Sequence, residues 1–493
     1  MRSRPTTSAD PLAELLTLYP AYADTSILDE LRRSDYSRLD RQQHAYLDYT
    51  GGAVYADSQL SAHTQILRGD VLGNPHSASL SSSHTTDLVE RARRAVVQYF
   101  RATGYTAIFT LNASGALKHV GECFPFTSAG RLLLTFDNHN SVNGIREFAR
   151  ARGAQFVYAP LTSPDLRIDR AVLEALFDDR DPAASNLFGF PAQSNFTGVK
   201  HPLDLVGIAQ SRGWQVLLDA AAFVPTNRLD LSVVRPEFVT VSFYKMFGYP
   251  TGVGCLLVRN DALRCLQRPW FAGGTVNFAT VQGRAHILSP GEAGFEDGTL
   301  NYLSIPAVEI GLIHLERIGI DTIQTRVQSL AGWLLQKLLA LRHGNGRHMV
   351  RMYGPATMAG RGATLTMNFY DPDARLIDYR RVEELATQKR ISLRTGCFCN
   401  PGAGEAAEGL TEADMRAAMD AGPEMNLQRF VQLMQDRGGK SAGAIRVSFG
   451  IASNIDDAAR FLAFVEDLRD QTRLTLGDVS FDIESSRAIR DGS

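Results

Sequence analysis

The chain has 493 residues, 44% hydrophobic and 21% charged, and its 51 basic and 53 acidic side chains leave a formal charge of −2. Length and composition are those of a globular protein with one large multi-lobed unit or several domains, which excludes a small stapled module, a fibrous repeat and wholesale disorder. There is no dense Lys/Arg block to neutralise a row of phosphates, so nucleic acid is not expected as a partner. Cys123, Cys255, Cys265, Cys397 and Cys399 are too few for a disulfide framework and fit a reducing cytoplasm. No run reaches the roughly 20 apolar residues that span a bilayer, and the N-terminus MRSRPTTSADPLAELLTLYP lacks the apolar core of a secretory leader. Neither membrane insertion nor secretion is expected.

In chain order, Leu12, Leu15, Leu16 and Tyr19 recur at helical spacing, and a second short amphipathic piece lies around Ile27–Leu31. Residues 1–75 are expected to pack as an N-terminal segment against a smaller C-terminal domain. From about Leu88 to Leu257 the pattern turns to apolar runs, TAIFTL, RLLLTF, QFVYA, NLFGF, WQVLLDA, FVTVSF and GCLLV, separated by roughly helix-length intervals. Buried strands so spaced predict an α/β layer on a mostly parallel sheet, here assigned to a large domain over 76–305. After about Pro306, amphipathic AVEIGLIHLERIG and QSLAGWLLQKLLALR lead into TLTMNFY and AIRVSFG, predicting a smaller α+β domain over 306–493. Residues 405–440, rich in Ala, Met, Glu and Gly, read as an inserted helical excursion or mobile loop, and the polar tail after about Gly477 is expected to fray.

The chemistry is densest in EFVTVSFYKMFGYPTGVGCLLV, where Ser242 and Lys245 follow a buried strand. A desolvated lysine there has a lowered pKa, and its neutral amine can form a Schiff base with a carbonyl cofactor. Upstream, WQVLLDAAAF ends a strand on Asp219, a carboxylate able to keep a pyridine nitrogen protonated. Taken singly, a strand-end Asp or Lys is more often a solvated cap; the two in this order point to pyridoxal phosphate. TAIFTLNASGALKHVGE is a strand, a small-residue turn and a helix, so the Ser114 and Gly115 N–H groups and the Ser114 hydroxyl could cradle a phosphate, where the plain reading is a strand–helix turn. His139 in LLLTFDNHNSVNG could stack on a ring and move protons, although a lone histidine is more often structural. GFPAQSNFTG places Gln193 and Asn195 in a turn suited to a phenolic oxygen.

PAQSNFTG, LLDAAAF, SFYKMFGYPTGVG, FEDGTLNYLSI and LRTGCFCNPGA stand in this order in one chain. From about Tyr46 to about Asp457 the sequence resembles the cysteine-desulfurase-like domain of molybdenum cofactor sulfurases, of the class V, fold-type I pyridoxal-phosphate enzymes. The resemblance implies a large domain with a mostly parallel seven-stranded sheet, a small α+β domain and pyridoxal 5'-phosphate as cofactor. It implies that Lys245 carries the cofactor, Asp219 pairs with its pyridine nitrogen, His139 stacks over its ring, Asn195 lies near its hydroxyl, and Ser114 and Ser242 bind its phosphate. Thr275 in FAGGT and Thr299 in FEDGT are similar to positions at a subunit boundary, which implies a homodimer. Arg446 resembles the arginine that forks onto a substrate carboxylate, with Arg394 a second candidate.

The loop LRTGCFCN sets Cys397 and Cys399 among Gly, Asn and Pro, a flexible setting that could carry a thiol to the cofactor and away. Alignment with the family places the nucleophile at Cys399, implying conversion of L-cysteine to L-alanine with a Cys399 persulfide for an unknown sulfur acceptor. Cys397 is a resolving thiol or a bystander; a zinc site is disfavoured, since no second Cys pair accompanies the C-x-C, and no metal is expected. Cys123, Cys255 and Cys265 are expected to be inert packing residues. Gly404 stands where relatives often carry a further cysteine, and Ala222 where ordinary desulfurases place a glutamine. The rival readings are a C–S lyase or other elimination or decarboxylation enzyme acting on a thio amino acid, and a catalytically silent scaffold.

Overall fold

The computed structural model describes residues 10–437, 440–471, 479–482 and 487–490. Each of the seven apolar runs is a strand: β1 Tyr105–Thr110, β2 Arg131–Thr135, β3 Gln155–Ala159, β4 Asn186–Pro191, β5 Gln215–Asp219, β6 Phe238–Ser242 and β7 Gly254–Arg259. They form one sheet in the order β1-β7-β6-β5-β4-β2-β3. Only β7 runs against its neighbours; the others are parallel. Every residue of β4 and β6 is buried, as both-face coverage of a parallel sheet requires, and that is why these strands read as unbroken apolar runs.

A second, antiparallel sheet comprises β8 Val350–Tyr353, β9 Thr364–Phe369, β10 Arg394–Gly396 and β11 Ala444–Ser448, in the order β8-β9-β11-β10. Helices Pro306–Ile318 and Ile320–Ala340 occupy the two amphipathic stretches that precede it. The N-terminal helix Pro11–Leu18 packs on helices Ile320–Ala340 and Ile455–Glu466. The chain then runs extended: Ala45–Tyr46 pairs in parallel with Ile391–Ser392, Asp48 bridges to Ser448, and the Ala53 N–H donates to the Tyr244 carbonyl at 3.1 Å. This segment thus runs from the second sheet to the short helix Phe243–Phe247 that follows β6. Gly248, which closes the helix carrying Lys245, has φ +82°, and a Cβ there would lie 2.4 Å from the backbone nitrogen of Tyr55. Only glycine lets the N-terminal segment lie so close to the lysine.

Residues 401–436 are helical, as Pro401–Glu408, Glu412–Asp420 and Leu427–Asp436, the second opened by a Thr411/Asp414 capping box. Half of the tail after Gly477 lies outside the described residues, but Val479–Asp482 and Arg487–Arg490 pair as an antiparallel hairpin. Among the described residues, no helix is long and apolar enough to cross a membrane, and no group of three or more His, Cys, Asp or Glu side chains could hold a metal ion.

Candidate active site

A cavity of about 360 Å³ opens at the C-terminal edge of the parallel strands, the place where α/β sheets bind ligands. Asn112, Ser114, His139, Gln193, Asn195, Asp219, Ser242, Tyr244 and Lys245 all line it, so residues from five strand ends converge. Lys245 lies in the short helix Phe243–Phe247, which Phe243, Met246 and Phe247 root in the core. Burial pushes the Lys245 pKa below the ordinary lysine value, while Asp219 pulls the other way. Asp219 ends β5 with its Oδ1 fixed by the Ala221 N–H at 3.0 Å and the Thr240 hydroxyl at 3.2 Å. Its Oδ2 is thereby left to the cavity.

His139 begins the turn after β2, and its Nδ1 accepts the Ser141 N–H at 3.1 Å. The ring proton of the neutral form therefore sits on Nε2. Burial lowers this histidine's pKa, and Lys245 adds to that against Asp219, so the neutral imidazole is the form held at neutral pH. At the opposite end, helix Ala113–Cys123 starts on Asn112, whose Oδ1 accepts the Gly115 N–H at 3.0 Å. Gly115 is thus taken out of the expected phosphate cradle; its amide is already capped. The Ser114 N–H lies in the first helical turn, which has no intrahelical acceptors, and the Ser114 hydroxyl meets that of Ser141 at 2.6 Å. Ser242 Oγ accepts the Ala113 N–H at 3.1 Å and keeps its own proton to donate.

Thr299 and Gly115 line a neighbouring cavity of about 300 Å³ that meets the first at Leu111 and Gly252. Thr275 lines neither: it is fully buried, and its hydroxyl is spent on the Ala272 N–H and carbonyl, both at 2.9 Å.

The cysteine loop is fastened rather than free. Asn195 Nδ2 donates to the Phe398 carbonyl at 2.7 Å, and the Asn140 N–H donates to the Cys399 carbonyl at 2.7 Å. Asn400, fully buried, donates through Nδ2 to the Asp137 carbonyl at 2.7 Å and to Asn195 Oδ1 at 2.8 Å, while its Oδ1 caps helix Pro401–Glu408 at the Ala403 N–H. These bonds hold Phe398 and Cys399 both at φ +55°, a left-handed conformation that costs about 1–2 kcal/mol per non-glycine residue. In this arrangement the loop backbone is hydrogen-bonded to the turn that carries His139. Cys399 is exposed. Cys397 is half-buried, and burial raises its pKa. Cys123 and Cys255 are buried, but Cys265, two residues past the short helix Asn260–Leu263, is exposed.

Arg446 is 3% exposed and stands opposite Arg394 in the β10–β11 register. Arg446 Nη1 donates to the Asn195 carbonyl at 2.9 Å, and its guanidinium lies 4.7 Å from the centre of the Phe398 ring. Sequence reasoning missed Asn400, Tyr244 and Asp48. Asn400 adjoins the cysteine motif and Tyr244 adjoins the lysine, so proximity was an available clue for both; Asp48 offers none.

The family model for aminotransferase class-V matches residues 45–461. The molybdenum cofactor sulfurase of Solanum lycopersicum is 38% identical over 481 residues, covering 91% of this chain and 58% of the relative. That of Homo sapiens is 36% identical, covering 94% of this chain and 53% of the relative; the chain thus spans little more than half the length of these proteins. Among solved structures, a cysteine desulfurase from Thermococcus onnurineus superposes with TM-score 0.74 at 20% identity, covering 89% of this chain and 97% of that one. A cysteine desulfurase from Escherichia coli does so with TM-score 0.67 at 20% identity, covering 94% and 99%.

Proposed function

Since the chain belongs to the aminotransferase class-V family, we propose that it binds pyridoxal 5'-phosphate against Lys245 and desulfurates L-cysteine, giving L-alanine and a persulfide on Cys399. The residues present fit the cofactor. Lys245 offers an amine whose charged form burial disfavours, Asp219 Oδ2 is free to hold a pyridine N–H, and the His139 ring is fixed in the wall. The Ser114 N–H and the Ser242 hydroxyl supply donors for a phosphate, and the second hydrogen on Asn195 Nδ2 can reach a phenolic oxygen. When bound, the cofactor is an electron sink that weakens the bond from the substrate's Cβ to its sulfur.

The observation that carries the reading is Cys399: an exposed thiol on a backbone hydrogen-bonded to the residue after His139, which lines one cavity with Lys245. Its sulfur attacks the substrate sulfur; the Cβ–S bond breaks, an S–S bond forms, and L-cysteine plus the Cys399 thiol become L-alanine plus the Cys399 persulfide. Lys245 and neutral His139 are the groups placed to take and return the protons. Fold-type neighbours include a cystine C–S lyase, at 18% identity, and a lyase needs no protein thiol. Anaerobic mixing of the loaded protein with L-cysteine therefore decides: one persulfide per subunit mapped to Cys399 supports the desulfurase, and Cys399→Ser should abolish it while the cofactor's visible absorption remains. Undiminished sulfur release from Cys399→Ser would sink the assignment, and Lys245→Ala should lose the absorption band.

A homodimer belongs to this reading. Leu111, at 71% exposure, lies on the rim shared by both cavities, and Trp270, Phe271 and Phe278 are also exposed, a grouping that fits coverage by a second copy beside Thr299. The free state of all five cysteines fits a cytoplasmic location. The acceptor of the sulfur is a further protein or small molecule.

A further inference from the structure

Arg394 and Arg446 are directly opposed on neighbouring strands, an arrangement of like charges that destabilises a sheet unless a counter-ion intervenes. One carboxylate does so for both. Asp48 Oδ2 accepts from Arg394 Nε at 2.9 Å and Nη2 at 2.5 Å, and Asp48 Oδ1 accepts from Arg446 Nη2 at 2.9 Å. The fit is close: a Cβ on Gly51 would lie 2.6 Å from Asp48 Oδ2 and 2.8 Å from Arg394 Nη2. Two guanidinium charges against one carboxylate leave one positive charge unpaired. The shortage has a location, since Arg446 Nε is buried and has no hydrogen-bond partner. A buried cationic donor left unmatched is costly, and one further carboxylate beside the Nε edge would satisfy both charge and donor.

We propose that Asp48 is a positioning residue for substrate selection: it holds Arg394 and Arg446 as one fork with a single vacant place, which admits the α-carboxylate of an amino acid. This rests on the reading of the cavity as an amino-acid site. Because Arg446 also bonds the Asn195 carbonyl and lies over Phe398, a carboxylate seated there is registered against the cysteine loop.

The test uses the full chain loaded with pyridoxal 5'-phosphate, in wild-type form and as Asp48→Asn. L-Alanine, which carries the carboxylate, and ethylamine, which lacks it, are titrated while the cofactor's visible absorption is followed. Asp48→Asn should weaken L-alanine binding about tenfold or more, the scale of one charged hydrogen bond, and leave ethylamine unchanged. The KM for L-cysteine should rise in step, with kcat within about threefold. Equal weakening of both amines would reduce Asp48 to a structural role and overturn the proposal; so would unchanged or tighter L-alanine binding, the latter meaning that Asp48 competes with substrate. If Asp48→Asn does not take up the cofactor, Asp48→Glu, which keeps the charge but displaces it, must still weaken L-alanine alone. A wild-type protein that shows no absorption band with the cofactor defeats the cofactor reading instead, independently of Asp48.

Discussion

The amide of Asn195 donates to the carbonyl of Phe398 at 2.7 Å, joining the turn after a central strand of the large sheet to the residue before the proposed nucleophile. Asn400 closes the same network from the other side. Truncating Asn400→Ala removes two donors and a helix cap, each worth about 1 kcal/mol. Persulfide formation on Cys399 should fall at least tenfold while the cofactor's absorption persists. Rapid-quench mass spectrometry reads the first and a spectrum the second; an unchanged rate would show that the fastening does not position the thiol.

Thiol reactivity should divide by burial. Burial pushes the Cys123 thiol up to about 12 and raises Cys255 and Cys397, whereas Cys265 and Cys399 are exposed. Brief iodoacetamide treatment at pH 8 should label Cys265 and Cys399 and spare the other three, as peptide mapping would record.

The proposed attachment of the cofactor to Lys245 requires the neutral amine, so its rate should fall as pH drops through a lysine pKa lying below the ordinary value near 10.4. Asp219 is the anion that holds this pKa up. Asp219→Asn should therefore shift the acid limb of cofactor uptake to lower pH, measured by visible absorbance on adding pyridoxal 5'-phosphate to stripped protein. A shift to higher pH would contradict the electrostatic assignment.

Glu408 accepts hydrogen bonds from the Tyr353 hydroxyl at 2.7 Å and Asn368 Nδ2 at 2.9 Å, and burial lifts its pKa to about 7. A carboxyl with a raised folded-state value contributes stability below its unfolded pKa and loses it as pH rises through the folded one. Thermal stability should accordingly decline between about pH 5 and pH 8. Glu408→Gln keeps the accepting oxygen, and should flatten that decline and gain about 1–3 kcal/mol at pH 8. Parallel pH profiles for the two proteins would remove Glu408 as the cause.

The large sheet was legible because its central strands β4 and β6 are buried throughout and hence written as unbroken apolar runs, and because Lys245, Asp219 and His139 sit where such runs end. Short strands left weaker traces: Val350–Tyr353 and Arg394–Gly396 were not foreseen, since three or four residues carry no period. The tightness of the cysteine loop was hidden for another reason. Phe398 and Cys399 adopt positive φ without being Gly or Asn, and the bonds that hold them there come from Asn140, Asn195 and, through Asn400, Asp137. Gly115 was misjudged because Asn112 was not read as a cap, although Asn before a helix is a common one.

Asp48 is 346 residues from Arg394 and 398 from Arg446. A ribosome making this chain must therefore deliver it as far as β11 before Asp48 can meet both arginines, long after the strands around Lys245 have emerged. The nascent protein thus passes through a stage in which the strand ends around Lys245 have been made and the proposed carboxylate fork has not. A chain interrupted before β11 would carry Lys245, Asp48 and Arg394 without Arg446, and so without the fork we propose.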